Sequence, residues 1–224
     1  MPELTGDQSN VSKIVADALK VTADALASWL NHPIDSQDVV ATKLSLAVPH
    51  EVMCCCTMPV DVTIGAPRLS DPSAKVIRSA GLLLLAWRSE EAAWLIDQSL
   101  NSNGTSRDAA TWGDLERSAI AETSNVVGCV FLNAIAEGIR DISDTEVSLI
   151  PDRPYIEHAY AGGWMDAAII EVEERGEHKS KAWLATGTFP VANHAVNTRF
   201  AMVWRSQVWH RLTKLAGDSV NREA

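Results

Sequence analysis

Along the chain, apolar residues recur at three- and four-residue steps in four stretches, the spacing of amphipathic helices. From about residue 11 to 30, Ile14, Ala18, Val21, Ala25 and Trp29 mark one face. Asn31-His32-Pro33 closes that helix, because proline disfavours helix in the residue before it. A second helix, Ser89–Leu100, turns Ala92, Ala93, Leu95 and Ile96 toward a core and ends near Asn101-Ser102-Asn103-Gly104. A third is predicted over 112–139, with Thr111 as N-cap and Asp114 three residues on, as in a capping box. The fourth covers 206–216. Strand-like segments fall at 43–48, 60–64, 82–87, 146–150, 167–173, 181–188 and 200–204. The polar run 174–180 reads as the turn of a hairpin.

These elements repeat. Leu30-Asn31 recurs as Leu132-Asn133, and the segment from Leu44 to Pro49 recurs loosely as that from Val147 to Pro151, at one constant offset. Ala86-Trp87-Arg88-Ser89 returns as Val203-Trp204-Arg205-Ser206 at a larger offset, each just before a helix. The second half therefore carries extra residues, with 174–180 as the expected host. The fold class that follows is α/β (α+β): a pseudo-two-fold duplicated unit with a mostly antiparallel sheet and long flanking helices. It is expected to form a single domain over 10–216, with halves at about 10–104 and 111–216.

Charge narrows the function. The 224 residues carry 19 Lys+Arg against 29 Asp+Glu, a net charge of −10, which argues against nucleic acid, whose phosphates need clustered cations. No uninterrupted apolar run reaches the roughly 18 residues of a membrane span. The first 30 residues lack a basic start, an apolar stretch and a cleavage site, so a cytoplasmic location is expected. Cys54, Cys55 and Cys56 are consecutive and Cys129 stands alone; adjacent cysteines seldom bridge, so reduced, buried thiols are expected. The six histidines show no ligand spacing, so no metal site is expected.

The third helix is unusual. Beyond Asn125 it is too apolar to face water, yet Ser118, Glu122 and Asn125 fall at i, i+4 and i+7 on one face. Leu115, Cys129 and Leu132 extend that stripe. A buried Glu or Asn without partners costs about 1–3 kcal/mol or more. Spacing alone leaves two readings, a solvated face or capping network and a ridge that meets something else.

Leu115-Glu-Arg-Ser118-x3-Glu122-x2-Asn125, then Gly128, Leu132-Asn133-Ala134-Ile135 and Pro151, resembles the signature of the CheC-type phosphatases, a family that includes CheX and the CheC-like part of FliY. The resemblance covers about residues 10–216, with Pro151 a few residues late. It implies hydrolysis of the aspartyl phosphate on a CheY-like response regulator, with Glu122 and Asn125 catalytic and Ser118 a partner contact. It implies no cofactor or metal in this chain, the Mg²⁺ being held by the regulator. A second site, frequent in the family, is not expected: no Glu occurs between Glu3 and Glu51, and the repeat offset sets Lys20 and Ala23 opposite Glu122 and Asn125.

The chemistry suits the residues. A carboxamide offers donor and acceptor together, so Asn125 can orient the attacking water, as a glutamine does in GTPases. Glu122 would pair with a regulator lysine. Two other roles stay open: a non-catalytic binding module akin to the middle part of flagellar switch proteins, and an adaptor for a CheD-type deamidase.

Overall fold

The computed structural model describes residues 6–34, 37–41, 51–65, 75–143, 145–174 and 183–217. Five helices, α1 (Gly6–Leu30), α2 (Ser89–Leu100), α3 (Asp114–Ser143), α4 (Ala161–Glu174) and α5 (Ser206–Gly217), accompany seven strands. These are β1 (Gln37–Ala41), β2 (Val52–Ile64), β3 (Lys75–Trp87), β4 (Val147–Pro151), β5 (Tyr155–Tyr160), β6 (Trp183–Pro190) and β7 (Asn197–Trp204). They form one antiparallel sheet in the order β1-β6-β7-β3-β2-β4, with β5 also on β2. Exchanging α1-β1-β2-β3-α2 with α3-β4-β6-β7-α5 reverses that order onto itself. The expected pseudo-two-fold is therefore present, with its axis between β3 and β7.

Side-chain alternation explains why the sheet is covered on both faces. Cys54, Cys56, Met58, Leu83, Leu85, Trp87, Phe200, Met202 and Trp204 point into the larger core, which α1, α2, α3 and α5 cover. Met53, Cys55, Leu82, Leu84, Ala201 and Val203 point the other way, under Trp164, Met165, Ala168 and Val172 of α4. The Trp-Arg-Ser repeat marks equivalent places: Trp87 and Trp204 are buried at the ends of β3 and β7, and Ser89 and Ser206 begin α2 and α5. A Cβ on Gly81 would lie 2.6 Å from the Trp204 ring and from the Val203 carbonyl oxygen, so only glycine lets that indole lie across β3.

Several expectations are corrected. The span 167–173 is the body of α4, not a strand, because Trp164, Met165, Ala168 and Val172 bury at helical spacing. The hairpin read around 174–180 fails with it: Glu171 to Glu174 form the last turn of α4, and 175–182 lie outside the described residues. The second half's insertion includes β5 and α4. Strand β2 begins at Val52 rather than at residue 60. The strand expected at 43–48, and with it the Leu44–Pro49 repeat, lies outside the described residues. Leu30 ends α1 whereas Leu132 lies inside α3, so those two anchors are not equivalent places.

On α1 the buried face is Ile14, Val15, Ala18, Leu19, Ala23, Leu26 and Leu30, whereas Val21 and Trp29 are 49% and 43% exposed. Thr22 joins that face because its hydroxyl donates to the Ala18 carbonyl at 2.7 Å, which removes the cost of burying it. The helix stops as expected, with Asn31 at φ 54 before Pro33.

Candidate functional site

The site is built on α3. Its start is capped by Gly113, whose N–H donates to Glu116 Oε2 at 2.9 Å, while Thr111 closes a short 3-10 turn at Ala109–Thr111. The Thr111–Asp114 cap is thus replaced by Gly113–Glu116 two residues later, one half of a capping box, since glycine has no side chain to return the hydrogen bond. The segment leading into it is tied down by Asp97 of α2, which accepts from Ser102 Oγ, Gly104 N–H and both the N–H and hydroxyl of Thr105. Burial acts to raise the Asp97 pKa, but those hydrogen bonds outweigh it and hold the carboxyl below the usual range.

By length and composition α3 could cross a membrane, but its apolar side is spent on the fold. Ile120, Val127, Phe131, Leu132, Ile135 and Ile139 are buried, and Phe131 packs edge-to-face on Phe200 at 4.4 Å between ring centroids. Gly128 sets the height of the helix above the sheet: a Cβ there would lie 2.9 Å from Met58 Cε and 3.0 Å from Leu83 Cδ2. Laterally, the Thr123 hydroxyl lies 3.3 Å from that of Ser99 in α2. A glycine amid apolar helix residues is the one sequence signal that could have marked this close approach.

The outward side of α3 carries the sequence-predicted residues. Leu115 is 63% exposed, Ser118, Glu122 and Cys129 are exposed, and Asn125 is half-buried. The helix thus brings Ser118, Glu122 and Asn125 onto one open face. Leu132 does not belong to that ridge; it is fully buried. Each seven-residue step falls about 20° short of two whole turns, so the line Ser118, Asn125, Leu132 rolls from solvent into the core. The line Leu115, Glu122, Cys129 stays outside.

Among the described residues neither Glu122 nor Asn125 has a side-chain hydrogen bond or ion pair. No residue three or four positions from Glu122 is basic. Burial and then the Glu122 charge push the Cys129 thiol up. Cys54, Cys55 and Cys56 are buried in β2 and free. Burial first, and neighbouring negative charge for Cys55, push Cys55 and Cys56 up to about 12, and Cys54 higher still. Thiols held protonated in this way are not nucleophiles.

Near the start of α3, His158 stands edge-on to Trp112 at 5.2 Å. Burial, with the Arg117 charge next, lowers its pKa against the opposing pull of Asp108. No group of three or more His, Cys, Asp or Glu among the described residues is placed to share a metal ion.

Solved structures share this fold. FliY of Thermotoga maritima superposes with a TM-score of 0.58 at 12% identity, covering 98% of this chain and all of that one. FliM in a FliM–SpeE complex from H. pylori gives 0.54 at 8% identity, with coverage of 97% and 98%. CheX from Vibrio vulnificus gives 0.50 at 9% identity, with coverage of 85% and 98%. By sequence, no family model and no curated protein matches. The fold is thus the CheC-type fold that the 115–135 signature implied, and it is shared with FliM.

Proposed function

We propose that this protein is a cytoplasmic phosphatase for the aspartyl phosphate of a CheY-like response regulator, with Glu122 and Asn125 as its catalytic residues. One observation carries the reading: an acid and an amide stand on one open helix face with no partner among the described residues. The first contact is electrostatic. Glu122 pairs with a cation of the regulator, most simply the lysine beside its phosphoaspartate, and so brings the ridge over the phosphoryl group. Asn125, one turn on, enters the regulator's site; its carbonyl accepts from a water and its amide nitrogen donates to a phosphoryl oxygen or to the same water. The water's lone pair then attacks phosphorus in line, the bond to the aspartyl oxygen breaks, and inorganic phosphate leaves. The regulator's own Mg²⁺ neutralises the phosphoryl charge, so this chain supplies positioning. Ser118 lies at the margin of the contact and is dispensable for chemistry.

The decisive measurement is decay of a CheY-like receiver phosphorylated with acetyl phosphate, with and without this chain. Acceleration by wild type that disappears in Asn125→Ala supports the assignment; an equal rate in the variant removes Asn125 from the mechanism. A second reading, a binding module without hydrolysis, draws support from the fold shared with FliM. It predicts receiver binding with no acceleration. An adaptor role toward a CheD-type deamidase is compatible with either and is read by co-elution.

A further inference from the structure

Two histidines far apart in the chain meet in space. His32 follows the end of α1 and His194 lies in the turn between β6 and β7, with rings edge-to-face and centroids 4.9 Å apart. Trp94 of α2 closes the group at 5.2 Å from His32 and 4.8 Å from His194. Both turns are built alike: each histidine follows an asparagine in the left-handed region, Asn31 at φ 54 and Asn193 at φ 62. The turns are also fastened to each other. Ala192 N–H donates to the Pro33 carbonyl at 2.9 Å, and Ile34 bridges to Val191. Backbone, rather than a chance side-chain encounter, therefore sets the ring pair. His194 is exposed and His32 half-buried, so the pair is open to solvent.

His32 Nε2 lies 3.1 Å from Gln98 Oε1. An amide oxygen only accepts, so Nε2 carries the proton and Nδ1 keeps its lone pair. A ligating histidine is fixed in the same way, its other N–H held by an oxygen. We infer that His32 and His194 form a two-nitrogen site for a borderline divalent transition ion, such as Zn²⁺, Ni²⁺ or Cu²⁺, with Gln98 setting the tautomer of His32. The bound ion ties the end of α1 to the β6–β7 turn, and so one half of the duplicated fold to the other.

The test is calorimetric titration of the full chain with Ni²⁺ or Cu²⁺ alone. One ion per chain is expected. His32→Phe and His194→Phe keep the aromatic packing but remove the nitrogens, and each is expected to weaken that step at least tenfold. Gln98→Leu weakens it by about tenfold through the lost tautomer control. Cys129→Ser and His158→Phe leave it unchanged. Uptake of no ion by wild type overturns the inference, as does unchanged binding in both Phe variants. Should a Phe variant fail to fold, the Cu²⁺ spin-resonance spectrum of wild type decides: coupling to two imidazole nitrogens supports the site, and coupling to fewer overturns it.

Discussion

α1 and α3 occupy equivalent places about the pseudo-two-fold, yet their outward faces differ in kind. On α1 the exposed line is Lys13, Asp17, Lys20, Asp24 and Ser28, with charges alternating at three- and four-residue steps. Such spacing lets each charge be screened by its helical neighbours, worth a few tenths of a kcal/mol per pair. On α3 the line is Leu115, Ser118, Glu122, Asn125 and Cys129, with one carboxylate and no basic residue three or four positions from it. The pseudo-two-fold places two similar scaffolds side by side. Only the α3 line lacks the alternating charges of α1, and there an amide stands one turn from the lone carboxylate. That difference, rather than exposure itself, is what sets the α3 face apart from the α1 face.

The sharpest way to break the comparison is to substitute both ridges and measure phosphoregulator decay. Asn125→Ala is expected to slow the catalysed step by about 100-fold or more, near 3 kcal/mol of barrier, with the thermal midpoint unchanged. Lys20→Ala or Asp24→Ala on α1 should leave the rate as it was. Next in size is Gly128→Val, which forces side chains against Met58 and Leu83 beneath α3. Overpacking of this kind costs about 1–3 kcal/mol, seen as a lower urea midpoint, and under the proposed mechanism the displacement of Asn125 lowers the rate as well. Glu122→Gln is expected to lose about tenfold, largely as a raised KM, because the proposed mechanism uses this charge to meet a cation of the regulator.

A smaller effect concerns the support of α3. Because its folded pKa is depressed, Asp97 contributes stability above the ordinary carboxylate range, and that contribution is lost as pH falls through the folded value. Urea midpoints of wild type should therefore fall below about pH 4 more steeply than those of Asp97→Asn. Ser118→Ala is expected to change neither rate nor stability measurably.

What could be read from sequence follows from which forces were local. The second and fifth helices were legible because each is amphipathic over its whole length; for α2, Glu91 accepts from the Arg88 N–H at its start and Asn101 takes a left-handed conformation at its end. Strand β2 was only half legible. Three cysteines are poor strand markers, and Pro59 looks like a break. In the structure Pro59 falls where the neighbour of β2 changes from β5 to β4, between the pairs Thr57–Tyr155 and Val60–Pro151, a place where a missing N–H costs little. Helix α4 was misread because Ile169, Ile170 and Val172 favour strands locally, while burial of Trp164, Met165 and Ala168 on the second sheet face decides otherwise. The candidate site was legible as a face, since Ser118, Glu122 and Asn125 obey the helical period. The inward roll at Leu132 was not, because it depends on which side of α3 the sheet occupies.

The placement of the cysteines has a further use. Cys129 sits in the open on α3, whereas Cys54, Cys55 and Cys56 are walled in along β2, on alternate faces. A thiol reagent should therefore tag one position at once and the other three only when β2 parts from its neighbours. Mass spectrometry of timed alkylation then becomes a built-in clock for partial opening of the protein, with Cys55 reporting loss of the α4 layer and Cys54 and Cys56 reporting loss of the layer beneath α3.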